Sequence, residues 1–372
     1  MELEAATPVG VGVMRCLALA GCGALAVAGF AACAGGPAGA GVILGTSAGA
    51  PATQYLNIGK QFPSVGQFLG SRAGGAFAAS GVVIDDHWVL TAGHVTVGAT
   101  GFRFYLDNGG GFDSFASRPY VTGDAWYTHP GYTGDLLAGY DIGLVHFTQT
   151  LAVAPAVRFA GSNEVKKTGT AVGFGMTGTG STGATIFDGL KRGGANKIDA
   201  LFGGTVESAR LLVSDFDSGS SADNVYNSAT PLRLEYLIAP GDSGGGLFVP
   251  CGQPGRADDC LVGITSFIGA YDGAANADFG DIAGFVRVSA FNAWIDSVIN
   301  GLAAASVDLV GGVPGPATLF GAGPGARSVG LLVVASDQSG CGNGDCASIA
   351  EPAPLALFLL GLGGLLALGR RG

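Results

Sequence analysis

Three short segments of the chain carry residue types that could act together in nucleophilic catalysis: Thr91-Ala92-Gly93-His94, Asp141-Ile142-Gly143-Leu144-Val145 and Gly241-Asp242-Ser243-Gly244-Gly245-Gly246-Leu247. A serine hydroxyl is too weak an acid to attack a peptide carbonyl unaided, so an imidazole must take its proton. A buried carboxylate then fixes the tautomer of that imidazole and steadies the imidazolium. The tetrahedral oxyanion needs convergent donors, and the glycines around Ser243 let the backbone turn sharply enough for the amides of Gly241 and Ser243 to meet on one oxygen. Peptide hydrolysis by this route uses no metal and no cofactor.

Chain order separates the ways of reading these segments. Gly241-x-Ser243-x-Gly245 satisfies the nucleophile-elbow pattern of α/β-hydrolases, which place their histidine after the serine. The four histidines are His87, His94, His129 and His146, and none follows Ser243. Subtilisin order would need an aspartate ahead of the histidine. Only Asp85 and Asp86 lie just upstream, and the surrounding sequence lacks the alternation of strands and helices that fold requires. The remaining order is histidine, aspartate, serine, with intervals of 47 (94 to 141) and 102 (141 to 243) residues. His87, His129 and His146 sit in no comparable motif and read as structural or exposed.

The elements that must position these residues read as β. From about Gln54 to Thr265 short apolar runs alternate with Gly, Asp, Asn and Pro, as in 80–84, 88–91, 102–106, 142–147, 170–174 and 261–267. Such spacing predicts an all-β sandwich or barrel. One helix is expected at the end. Phe291, Trp294, Ile295, Val298 and Ile299 fall on one face, with Ser289 as the cap and Asn300-Gly301 as the stop.

Residues 54 to 300 resemble the trypsin/chymotrypsin-like serine proteases. The stretch 80–84 through Trp88-Val89-Leu90-Thr91-Ala92-Gly93-His94 is similar to the family's histidine region, and His129-Pro130-Gly131-Tyr132 with Asp141-Ile142-Gly143-Leu144-Val145 to its aspartate region. Gly173-Phe174-Gly175 resembles its Gly-Trp-Gly strand, and residues 288–299 its C-terminal helix. The resemblance implies two six-stranded antiparallel Greek-key barrels, divided near residue 160, with the site in the cleft between them. It implies His94 as general base, Asp141 as its orienter and Ser243 as nucleophile, with an oxyanion hole at the amides of Gly241 and Ser243. For substrate binding it points to Leu237, where trypsin-type enzymes keep an aspartate, and to Ser266-Phe267-Ile268, the wall strand, with Ile268 in place of a glycine. An apolar base and a bulky wall imply small or medium apolar side chains. Glu235, two residues from Leu237, would bring cationic specificity under a shifted alignment. Asp242 in this family pairs with a new N-terminal amine released at an Ile-Val-Gly-Gly site, and no such site occurs around Pro51.

The two ends and the cysteines place the chain outside the cytoplasm. Met14-Arg15, an apolar run over 16–32 and the small residues that follow have the form of a secretion signal over 1–34, with Met14 as an alternative start. An uncleaved anchor, or lipid attachment at Cys22 or Cys33, are the other readings of that segment. Residues 35–53 read as an N-terminal linker and 301–349 as a Gly/Ala-rich one. Residues 350–372 combine Glu351-Pro352, an apolar run over 355–369 and Arg370-Arg371, which together resemble the PEP-CTERM sorting signal of Gram-negative bacteria, with Ala350 replacing a proline. That resemblance implies transient anchoring by a C-terminal membrane helix, an exosortase-type enzyme as partner, and delivery to the outer surface or exopolysaccharide matrix. An ordinary C-terminal anchor is the alternative. Of seven cysteines, four lie beyond the signal, and their spacing suggests two local disulfides, Cys251 with Cys260 and Cys341 with Cys346.

Composition bounds the partners. The 372 residues are 48% hydrophobic and 12% charged, with a net charge of −10. That acidity argues against a nucleic-acid partner, which needs a basic face, and the apolar content is too high for a disordered chain. The expected activity is therefore that of a secreted, surface-sorted serine endopeptidase acting on proteins or peptides through an acyl-enzyme. The alternative is a catalytically inactive protease-like protein that binds surface or matrix.

Overall fold

The computed structural model describes residues 41–45, 51–111, 114–226, 230–251 and 259–301, and the backbone of 319–320, 332–335 and 338–341. Two antiparallel barrels dominate it. The first contains Val65–Arg72, Gly75–Asp85, Trp88–Thr91, Ala99–Tyr105 and Gly143–His146, together with Val121–Gly123 and Ala125–Thr128. The last two are halves of one bent strand: only Asp124 separates them, and its amide bonds the His146 carbonyl at 3.0 Å. One half pairs with Ala99–Tyr105 and the other with Gly143–His146, so six strands close on themselves. Closure leaves the barrel without a free edge where the bent strand joins.

The second barrel repeats the device. Arg192–Lys197 pairs with Thr168–Gly173, and its continuation Ala200–Phe202 pairs with Leu211–Asp215. The amide of Asp199, at the bend between them, bonds the Val213 carbonyl at 2.9 Å. Gly246–Pro250, Asp259–Ala270 and Ile282–Arg287 complete the ring. All six apolar runs expected to be strands lie on or against these strands. The fold is the all-β, chymotrypsin-like double barrel with a short C-terminal helix.

The inside of the first barrel is aromatic and aliphatic. Phe68 sits 4.6 Å from the Phe104 ring centroid and 5.1 Å from that of Phe102, over buried Val82, Val89, Leu90 and Leu144. The C-terminal helix, Asn292–Ile299, buries Ile295 and Val298 in the same cluster. His129 of the first barrel packs against Trp294 at 4.9 Å and Phe291 at 5.1 Å. The last element of the second barrel thereby fastens the first.

Several local expectations need correction. Ser289 does not cap the helix: Phe291 is its N-cap, and the Ser289 hydroxyl donates instead to Glu164 Oε1 at 3.0 Å. The β reading from Gln54 onward does not hold at its start, because Ala52–Lys60 is a helix. That helix lies against the second barrel with Tyr55 buried and Gly59 on the backbone of Arg192, where a Cβ would come within 2.7 Å. Within 35–53, expected to be a linker, Gly41–Ile43 is a strand. It runs parallel to Thr177–Thr179 and antiparallel to Tyr236–Leu237. Within 301–349, likewise expected to be a linker, three short strands (Leu319–Phe320, Leu332–Ala335, Gln338–Cys341) join the barrel sheets. The secretion signal 1–34 and the sorting segment 350–372 lie outside the described residues. Among the described residues no helix is long and apolar enough to cross a membrane.

Candidate active site

His94 stands on the one-turn helix Gly93–Thr96, directly after the strand Trp88–Thr91. Asp141 precedes the neighbouring strand Gly143–His146, which pairs with Trp88–Thr91 in register Thr91↔Gly143. Pairing of two core strands thus brings the two residues together across 47 positions. Gly93 permits the approach, since a Cβ there would sit 3.0 Å from the Ile142 amide.

Asp141 is wholly buried and accepts three hydrogen bonds. The His94 amide donates to Oδ1 at 2.7 Å, His94 Nδ1 to Oδ2 at 2.7 Å, and the Ser266 hydroxyl to Oδ2 at 2.6 Å. With Nδ1 donating, Nε2 carries the lone pair, and it accepts from Ser243 Oγ at 2.7 Å. The arrangement can pull a proton from Ser243, hold it on the imidazole and deliver it to a leaving group.

Ser243 comes from the second barrel, on the loop before Gly246–Pro250. Gly241 at φ +99° and Gly244 at φ +81° make the sharp turn there. At Gly244 a side chain is excluded twice over, because a Cβ would also meet Thr91 Oγ1 at 2.0 Å. Ser80 of the first barrel clamps this loop: its amide donates to the Ser243 carbonyl at 2.8 Å and its hydroxyl to the Gly241 carbonyl at 3.0 Å. The carbonyls that precede the two candidate oxyanion amides are held behind the loop, Pro240 O by the Met176 amide at 2.6 Å and Asp242 O by the Gly245 amide at 2.7 Å. A trans peptide points its N–H opposite its carbonyl. The amides of Gly241 and Ser243 are therefore both turned away from the packed side of the loop.

Among the described residues no ion pair holds Asp242; neutral donors do. Its carboxylate accepts from the amides of Gly175 and Ala239, each at 2.8 Å, and from the Tyr236 hydroxyl at 3.5 Å. Burial pushes its pKa up to about 7, against those amide bonds. Gly173 and Gly175 are the glycines of the Gly-Phe-Gly strand, and a Cβ on either would strike this carboxylate or its carbon at 2.7 Å or less. The strand Gly41–Ile43 packs on the same place, with Gly41 against the Tyr236 ring.

The expected substrate-binding residues divide. Leu237 is fully buried beside Val42 in the small sheet, and Ile268 is fully buried opposite Ala283. Phe267 lies in the wall strand, while the Ser266 side chain is committed to Asp141. Glu235 accepts from the Asp217 amide at 3.0 Å and from the Leu232 amide, and burial raises it to about 7. It serves loop backbone there. The other histidines have local work: His87 Nδ1 bonds the Phe147 carbonyl at 2.9 Å, and His146 Nδ1 bonds Asp124. His129 stacks on Tyr140, and burial pushes it down to about 4. The Cys251–Cys260 disulfide is present and ties Gly246–Pro250 to Asp259–Ala270 beyond the nucleophile. The Cys341–Cys346 pair lies outside the described side chains.

Two residues that hold the site were not singled out from sequence. Ser80 lies in the quoted histidine region, yet its partners on the nucleophile loop, Gly241 and Ser243, are 161 and 163 positions away (80 to 241 and 80 to 243). Tyr236 adjoins Leu237 and looks like one more apolar strand residue. Only the fold places either on the nucleophile loop.

A family model described as Trypsin matches residues 58–295. Among solved structures the chain is similar to one titled HL collagenase, at 18% identity and a TM-score of 0.45, covering 64% of this chain and 94% of that one.

Proposed function

Because this chain belongs to the trypsin family, we propose that it is a secreted serine endopeptidase in which Ser243 attacks the substrate carbonyl, His94 carries the proton and Asp141 holds His94. The observation that carries this reading is the continuous hydrogen-bonded line from Ser243 Oγ through His94 to Asp141, at 2.7 Å on each step. Attack moves the Ser243 proton to Nε2 and forms a C–O bond to the carbonyl carbon. The oxyanion is received by the amides of Gly241 and Ser243. Collapse breaks the C–N bond, with Nε2 returning the proton to the amine, and water then hydrolyses the acyl-enzyme by the same steps. The intact line weighs against an inactive binding protein.

Cleavage is directed to small or medium apolar side chains. Supporting this, Leu237 and Ile268 leave the wall and base apolar, and Glu235 is tied to backbone amides. The substrates are proteins or peptides. The tripartite C-terminus supports transient anchoring by a membrane helix, recognition by an exosortase-type enzyme, and delivery to the outer surface or matrix of a Gram-negative bacterium.

A peptide-library cleavage profile tests activity and preference together. The expected result is cleavage after Ala, Val, Thr or Leu by the wild type and none by Ser243→Ala. Cleavage confined to Lys or Arg would refute the pocket assignment, and identical profiles from both proteins would refute the catalytic one.

A further inference from the structure

The loop that carries Ser243 leans on a strand that belongs to neither barrel. Gly41–Ile43 precedes the helix Ala52–Lys60 and the first barrel strand, yet it lies inside a small sheet ordered Gly183–Ile186, Thr177–Thr179, Gly41–Ile43, Tyr236–Leu237. Gly41 stands opposite Thr177 and Ile43 opposite Thr179 on one side; on the other, Val42 stands opposite Leu237 and Ile43 opposite Tyr236. Among the described residues those two neighbours do not pair with each other, so Gly41–Ile43 is the link between them. The Thr177 hydroxyl donates to the Gly41 carbonyl at 2.9 Å and the Gly180 amide to the Ile43 carbonyl at 2.8 Å, and Val42 is fully buried.

Both neighbours lead to the nucleophile loop. Just ahead of Thr177, the Gly175 amide donates to Asp242 Oδ1 at 2.8 Å and the Met176 amide to the Pro240 carbonyl at 2.6 Å. On the other side, the Tyr236 hydroxyl reaches Asp242 Oδ2 at 3.5 Å and the Ala239 amide reaches the same oxygen at 2.8 Å. The Pro240 carbonyl shares a peptide plane with the Gly241 N–H, and the Asp242 carbonyl shares one with the Ser243 N–H. A shift of 175–176 against 236–239 therefore turns both amides. Asp242 is buried, so water does not replace a donor that moves away. Gly41 is fitted to this place. It sits at φ +61°, and a Cβ on it would lie 1.9 Å from Tyr236 Cζ and 2.1 Å from its Oη. Bare backbone thus closes on the phenol end that reaches Asp242.

We propose that Gly41–Ile43 is a positioning strand for catalysis: it clamps the Thr177 and Tyr236 segments together and so aims the amides of Gly241 and Ser243 at the oxyanion. Gly41 and Tyr236 are its positioning residues. This rests on the catalytic reading above and adds to it a part that lies outside both barrels. The effect belongs to the transition state. The oxyanion exists only after attack, so amides turned off line slow the chemical step and weaken any ligand that forms a tetrahedral adduct with Ser243. Ground-state binding is left as it was.

The test compares the full chain with three full-length variants. Tyr236→Phe keeps the ring and removes the hydroxyl, and Gly41→Leu drives a side chain into that ring. Gly45→Ala is the control, in the same segment at φ +99°, where a Cβ makes ordinary contact with Thr179 at 3.6 Å. Each is measured for kcat and KM on a small peptide amide, for its urea midpoint, and for the Ki of a peptide aldehyde, across whose carbonyl the Ser243 hydroxyl adds to give a hemiacetal. Loss of one oxyanion donor lowers kcat by about 100- to 1,000-fold. On that scale kcat should fall about 100-fold in Gly41→Leu and about 10-fold in Tyr236→Phe, with the aldehyde Ki rising by the same factors and KM within about twofold of wild type. Gly45→Ala should keep the wild-type kcat and Ki. Where Gly41→Leu does not fold, Tyr236→Phe decides alone. A fall confined to the urea midpoint or to KM, with kcat and Ki unchanged, overturns the positioning role and leaves the protease reading standing. A loss in Gly45→Ala as large as in Gly41→Leu overturns the route through Tyr236. A wild type that does not hydrolyse the peptide overturns both readings.

Discussion

The two barrels close in the same way and are filled in opposite ways. Among the described residues the first, from Val65 to His146, buries only two acidic or basic side chains, His94 and Asp141. The second, with the loops that join it, buries nine: Glu164, Lys191, Arg192, Asp215, Asp217, Glu235, Asp242, Asp281 and Arg287. An ionised group is buried only where partners replace its water. In the first barrel the side-chain partners are each other, Ser243 and Ser266, so the pair stands beside the candidate nucleophile. In the second, most partners are backbone amides and carbonyls, as with Glu235 on the amides of Asp217 and Leu232, or Lys191 on the carbonyls of Phe62 and Val65. Under the proposed mechanism the difference is a division of labour: buried charge in the first barrel would set rate, and in the second it would set the shape of the wall around the nucleophile.

The sharpest way to break this comparison is to neutralise one buried charge in each barrel. Asp141→Asn should lower kcat by about 10^4-fold, because the imidazole loses its enforced tautomer, with little change in the unfolding midpoint. Arg287→Met should do the reverse. Arg287 reaches Glu164 through Nε at 2.8 Å and Nη2 at 2.9 Å, and its loss leaves that carboxylate buried without its cation. Stability should fall by about 3–5 kcal/mol in urea titrations, while surviving folded enzyme keeps its kcat. A variant at Asp141 that unfolds, or one at Arg287 that folds normally and is inactive, would remove the distinction.

The smaller effect is in pH. Burial raises Asp242 and Glu235 to about 7 and Asp281 to about 8, the last with Asp278 and Asp272 beside it. Unfolded, each carboxyl titrates near 4. The folded state therefore binds these protons more tightly, and the stability they contribute is whole below pH 4 and lost as pH rises through 7 and 8. Thermal midpoints should decline from pH 5 to 9, and Asp281→Asn should make that decline shallower. An unchanged slope would show that Asp281 is not among its causes.

How much of this was legible in sequence follows from the range of the forces involved. The strands at 80–84 and 142–147 were readable because alternation and turn residues are local. His94, Asp141 and Ser243 were readable because chain order excludes the other serine hydrolase arrangements. The helix Ala52–Lys60 was not readable. Its buried positions are Ala52, Tyr55 and Gly59, and only the second is a large side chain; the helix is held by that one ring, stacked on Tyr236, and by the close approach of Gly59 to Arg192 rather than by an apolar stripe. Ser289 reads as a cap by type, but a bidentate ion pair 125 positions away at Glu164 takes its hydroxyl. The departures at Asp242 were visible as the lack of an activation site. Its bonds from Tyr236 and two amides were not, because neutral donors leave no signature in composition. The pairing of Leu332–Ala335 and Gln338–Cys341 was invisible for a further reason: strand addition is made by backbone, which every residue supplies.

The central claim is that Ser243, activated by His94, is the nucleophile of a working protease, and a fluorophosphonate probe tests it most directly. Labelling of the purified wild type at one site, mapped by mass spectrometry to the peptide containing Ser243, lost in Ser243→Ala and strongly slowed in His94→Ala, is the predicted result. Equal labelling of wild type and Ser243→Ala, or none in either, would contradict it.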